Sequence, residues 1–225
     1  MDYSVAFKSV KGFIVGEVLG MISSVLFGFS SFMVQAITYA FQFENANIVS
    51  YLAIGVTYFL VISIALYFVA IVIQVISLFK LRKYDNQIKG AVIILILVFV
   101  DVCMSLIFPN FVVVSVIMNV VEELADMWIA VAVIQAFISI TDSLDEYELS
   151  KRGLKVNRIV ITLLSITILG DVVFRYLLFN PSFILGTIIT LIVISVIKIF
   201  TYVHYISYLK KLEKLFKEKS MLVVT

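Results

Sequence analysis

Residues 111–141 read FVVVSVIMNVVEELADMWIAVAVIQAFISIT, and this stretch sets the terms for the rest of the chain. It is long and apolar enough to cross a bilayer as a helix, since a span needs only about 20 residues. Yet it carries Asn119, Glu122, Glu123 and Asp126 near its middle. Positions three and four apart share a helix face, so these four form one stripe, which Ser115 extends by a turn. Trp128 and the surrounding Ile, Val and Ala residues cover the remainder. An acid at the bilayer centre costs at least about 2.5–3.5 kcal/mol on insertion scales. The carboxyls must therefore face protein, face water, hold a cation or keep a proton.

Composition places the whole chain in the same environment. Of its 225 residues 63% are hydrophobic, and its mean hydropathy is +1.15. Soluble domains run about 45–50% apolar and about 25% charged, whereas only 14% of this chain is charged. The formal net charge of +2 says little; the placement of the charges says more. Cys103 is the single cysteine and forms no internal disulfide; its surroundings predict a buried apolar residue. The apolar run after Lys8 and Lys11 far exceeds the roughly 7–15-residue core of a signal peptide. It reads as a retained first span, and the sequence has no lipidation motif.

The expected fold is an all-α polytopic membrane bundle of six transmembrane helices. The spans read as Gly12–Phe41, Ile48–Phe79, Gly90–Phe108, Phe111–Thr141, Ile159–Phe179 and Ser182–Leu209. The short connections Gln42–Asn47, Pro109–Asn110 and Asn180–Pro181 lack Lys and Arg. Of the 17 basic residues, all but Arg175 and Lys198 lie at the other ends of the spans. The positive-inside rule then puts both termini in the cytoplasm of a cell-membrane protein. Tyr39, Phe41, Phe43 and Tyr51 at the outer end, and Tyr202, Tyr205 and Tyr208 at the inner end, suit the headgroup levels.

The spans pair as three helical hairpins. Hairpins two and three look related: each has an acid in its first arm, Asp101 or Asp171, and a Pro-containing tip. Each has a polar residue near the inner end of its return arm, Gln135 or His204. Gln74 takes a similar place in the longer first hairpin. Parallel repeats of this kind occur among transporters. In the first span Gly12, Gly16, Gly20, Ser24 and Gly28 recur every fourth residue, a small-residue ridge that lets membrane helices approach closely. Packing within the monomer is the plain use of such a ridge; an oligomer interface is the functional one. Glu17 lies beside it, near the inner surface.

Ionisable residues within the spans divide into two kinds. Asp171 and Arg175 stand one turn apart and read as a structural ion pair. Asp101 has no such neighbour and is a candidate to join Asn119, Glu122, Glu123 and Asp126 as pathway or ion-binding groups. Lys198, the one deeply placed lysine, sits at a depth that suits pairing with Asp126 or Glu122. Acids remain in excess after both pairings. After Lys198 the chain ends in LKKLEKLFKEKSMLVVT, Leu209–Thr225, whose Leu209, Leu212, Leu215 and Phe216 share a side opposite the lysines. Residues 210–225 thus read as a basic cytoplasmic tail suited to an anionic membrane surface. The acidic Asp142–Glu148 segment reads as a continuation of the fourth helix.

Several chemistries are absent from the sequence. One histidine and one cysteine cannot build a His-rich zinc or haem site, and no HExxH, phosphate loop, GxSxG or dinucleotide fingerprint occurs. No cofactor and no metal site are expected. The basic residues are spread as topology determinants, so no nucleic-acid partner is expected either. The pattern points to a channel or transporter subunit handling a cation, a proton or a small solute along the fourth-span stripe. The alternative is a non-catalytic scaffold or subunit, in which stripe and ridge dock a second copy or other membrane proteins. An enzyme is not expected; intramembrane aspartyl catalysis needs two acids from different helices, for which Asp101 and Asp171 are the candidate pair.

Overall fold

A bilayer offers a backbone no hydrogen-bonding partner, so apolar stretches of this length satisfy their own N–H and C=O groups as helices. The structure, a computed structural model, describes residues 1–41, 46–107, 112–178 and 184–222. Among the described residues there are six helices: α1 (Tyr3–Phe41), α2 (Ala46–Leu81), α3 (Asn86–Ile107), α4 (Val112–Ser143), α5 (Tyr147–Leu178) and α6 (Ile184–Leu222). All six are long and apolar enough to cross a membrane. The first, fifth and sixth run well past the expected spans at their basic ends. Cys103 is half-buried rather than buried.

The chain divides into two units, residues 15–74 and residues 1–14 with 75–225. In the larger unit α3 packs on α4, α4 on α5 and α5 on α6. Gly153 of α5 lies against Tyr208 of α6, and Gly170 against Ile194, so these two helices run antiparallel. Helix length explains where the core of this unit sits. At 1.5 Å per residue α3 is about 33 Å long, α4 and α5 about 48 Å and α6 about 58 Å. A bilayer core is only about 30 Å thick. Gly90 of α3 meets Trp128 of α4, so α4 continues well beyond the start of α3. There it forms a stem with the first turns of α5 and the last turns of α6.

That stem buries its side chains as a soluble core does. Val133, Ile134 and Phe137 of α4, with Tyr205, Leu209, Leu212 and Phe216 of α6, are at most 2% exposed. The Phe137 and Phe216 ring centroids lie 6.2 Å apart. The apolar face of the C-terminal segment is therefore spent on protein, not on a membrane surface. An i, i+3, i+7 row of Leu and Phe suits either partner equally, so its pattern cannot name which one it meets. The acidic segment also departs from expectation. Instead of prolonging α4 it turns after Ser143, with Asp145 at φ 60 and the Glu146 N–H donating to the Thr141 carbonyl at 2.9 Å. Glu146 then pairs with Lys219 at 3.1 Å.

Gly153 is where α5 and its neighbours come closest. A Cβ there would stand 2.6 Å from both Ile138 Cγ1 and Tyr208 Oη. The tyrosine ring is buried and rigid, so it cannot yield as a flexible tip would. Gly153→Ala should destabilise the protein by about 1–2 kcal/mol, overpacking outweighing the helix-propensity gain of up to about 1 kcal/mol. A thermal melt followed by tryptophan fluorescence in detergent reads this directly.

In the smaller unit α1 packs on α2 through small residues. A Cβ on Gly16 would meet Gln74 and the Ala70 carbonyl, and one on Gly20 would lie 4.0 Å from the Ala70 Cβ. Beyond this the seam leaves the expected ridge. Ser23, not Ser24, is buried, and its hydroxyl donates to the Ser63 carbonyl at 2.9 Å. Ser63 returns the bond to the Ser23 carbonyl, also at 2.9 Å. Ser24 is exposed, and nothing lies within 4 Å of where a Gly28 Cβ would stand. A strict fourfold row slants around a helix with 3.6 residues per turn, so a straight contact steps by four, four and then three. Ser63→Ala should cost about 0.6–1.5 kcal/mol, the range for one hydrogen bond between membrane helices, read by the same melt. Gly12 belongs to the larger unit, where a Cβ would meet the Ser77 hydroxyl.

Candidate functional site: a charged layer on α4, α5 and α6

Three helices each bring one charged side chain to a common point in the larger unit. The Lys198 Nζ of α6 donates to Glu123 Oε1 of α4 at 2.7 Å and to Asp171 Oδ2 of α5 at 2.9 Å. The three side chains are 33%, 25% and 17% exposed. A lysine in a helix leans toward the N-terminal turn, which brings its ammonium level with the two acids. Both bonds are short and charge-assisted. Two carboxylates share one ammonium, so the cluster is one negative charge in excess when all three groups are ionised.

This differs from the expected pairing. Lys198 takes Glu123 and Asp171, not Asp126. The side chains of Asn119, Glu122 and Arg175 lie outside the described residues, as does the Asp171–Arg175 pair with them. The reason lies in the angles. Glu122 and Glu123 differ by only 100° on the helix, and a sequence does not fix the rotation of α4 about its axis. Depth, which is set by counting residues from the turn, suggested an inter-helix lysine contact; the choice among neighbouring acids needed three dimensions.

Asp126 completes the layer in a different manner. It stands one turn after Glu123 on α4, and Val133 and Ile140 follow it at spacings of seven on the same face. Val133 is fully buried and Ile140 is 6% exposed, yet Asp126 is exposed. The face that packing closes in the stem is not covered by the protein at Asp126. Two further carboxyl atoms are buried without a hydrogen-bond partner among the described residues, Glu123 Oε2 and Asp101 Oδ2. An unpaired polar atom in an apolar medium costs several kcal/mol, so these atoms are ready acceptors for a proton, a water or a cation.

The remaining candidates have local roles. Among the described residues no three His, Cys, Asp or Glu side chains converge as a metal-holding group. His204 contacts the Phe200 carbonyl of its own helix at 3.1 Å through Nδ1, and its ring lies 4.3 Å from that of Phe200. Gln74 packs against Gly16, and Glu17 is buried. Gln135 lines an open groove between α3 and α4 that no sequence motif marks.

Six apolar helices with a charged layer inside one unit define a multi-pass membrane protein. Their apolar surfaces contact the lipid bilayer. Comparison with protein-family models, with curated proteins and with solved structures gives no match to this chain.

Proposed function

We propose that this protein is a channel or transporter, or a subunit of one, for a proton or small cation. It would lie in the cell membrane as three helical hairpins with both termini in the cytoplasm, following its basic residues. The observation that carries the reading is Lys198 held between Glu123 and Asp171 beside the open Asp126. The ammonium occupies the place a transported cation would take, so it acts as a built-in counter-charge. A cation or proton arriving at the carboxylates competes with Lys198 and frees it to move. Ionisable residues inside membrane spans mark such pathways.

The test is flux. Purified protein reconstituted in liposomes should carry H⁺, Na⁺ or K⁺ faster than empty liposomes, with a dye reporting each ion. Liposomes no leakier than empty ones for all three ions would count against the reading. The uncovered small-residue face at Ser24 and Gly28 favours a second reading, a non-catalytic subunit that docks another membrane helix there. In that case a partner would co-purify and Gly28→Leu would lose it.

A further inference from the structure

We propose that the groove between α3 and α4 is a binding site for one anionic phospholipid of the leaflet at the basic end. It is independent of the charged layer. The open groove has a volume of about 420 Å³ and is lined by Asn86, Gln87 and Gly90 of α3 and by Trp128, Val131 and Gln135 of α4. That volume falls within the usual range of ligand sites, about 300–1,000 Å³. Its two ends differ in chemistry, as the two ends of a lipid do.

The mouth is polar, with one lysine beside it. Three carboxamides stand there, and Lys89 donates from Nζ to Asn86 Oδ1 at 2.8 Å, which holds its ammonium at the lip. Arg82 and Lys83 of the turn leading into α3 sit over the Phe79 and Tyr84 rings, outside the groove, and Asp85 is the only acid in that turn. The Asp85 carboxylate is already engaged by the Gln87 N–H at 2.6 Å. A phosphodiester would find a cation and amide donors there. The floor is made by Trp128, whose indole lies where a side chain at position 90 would stand, 2.8 Å from the site of a Cβ. Indoles favour the headgroup level. Beyond it the groove's faces continue as exposed apolar residues, Ile93 and Leu97 on α3 and Leu124 and Val121 on α4. Each pair lies a turn or two deeper on the groove-lining face of its helix, a track for an acyl chain.

Trp128 is the sole tryptophan of the chain, so its fluorescence reports the groove alone. The full chain would be reconstituted in phosphatidylcholine vesicles containing a low fraction of bromine-labelled lipid, a contact quencher. Brominated phosphatidylglycerol should quench Trp128 about fivefold more efficiently than brominated phosphatidylcholine, the discrimination that one lysine near a membrane surface gives. Lys89→Gln, with helicity checked by circular dichroism, should remove most of that preference, and Gln135→Glu should reverse it. Equal quenching by both lipids in the unmodified protein would overturn the proposal, showing Trp128 in ordinary boundary lipid. No quenching by either lipid would overturn it too, showing the groove covered by protein. A preference untouched by both substitutions would place the anionic site elsewhere.

Discussion

Lys198→Ala should lower the stability of the detergent-solubilised protein by about 3 kcal/mol. Removing one partner of a buried ion pair costs about 3–5 kcal/mol, and partial exposure of the three side chains places this cluster at the low end. The cost arises because Glu123 and Asp171 would be left facing each other without a counter-charge. The combined variant Glu123→Gln, Asp171→Asn, Lys198→Met should recover most of it, ending within about 1 kcal/mol of the natural protein, because neutral groups of similar size escape the desolvation penalty. Melts followed by Trp128 fluorescence would read both variants beside the natural protein. Loss on Lys198→Ala without recovery in the combined variant would mean that the lysine stem, not its charge, holds α6 in place.

Asp126→Asn should do the reverse, leaving stability within about 0.5 kcal/mol and lowering flux at least tenfold. The substitution keeps shape and hydrogen-bonding capacity at an exposed position, where changes to stability are small. It removes the one described carboxylate of the layer that is open. A unit charge about 4 Å from a monovalent cation contributes about 4 kcal/mol at an effective dielectric of 20. Losing even a third of that is tenfold in rate. The same liposome assay reads it, and unaltered flux with Asn at 126 would remove this residue from the path. Together the two variants separate structural from functional charge: Lys198→Ala is expected to act on stability and Asp126→Asn on flux.

Much of this architecture is legible in the residues, and the gaps have physical causes. Apolar length gives the six helices, because a lipid-embedded backbone has no other way to satisfy itself. What length cannot give is where a helix stops serving lipid and starts serving protein. Leu209, Leu212 and Phe216 form a row that fits a membrane surface and a three-helix stem equally, and they are buried in the stem. The small-residue ridge of α1 is real as far as Gly20, after which the slant of the helix transfers contact to Ser23. In the charged layer, sequence shows which helices carry acids and at what depth. It does not show rotation, and rotation decides that Lys198 meets Glu123 rather than Asp126. Asp171 Oδ2 accepts from Lys198 on another helix, a contact that spacing along α5 alone does not reveal.

The proposed transport depends on water reaching α4 at the level of the acids. In a Cys103→Ser background a cysteine at position 126 should react with a membrane-impermeant maleimide added to one side of sealed vesicles. Pre-treatment with that reagent should also reduce flux. Complete protection from both sides, in vesicles whose exposed cysteine controls are fully labelled, would contradict the account and leave the charged layer as a structural clamp.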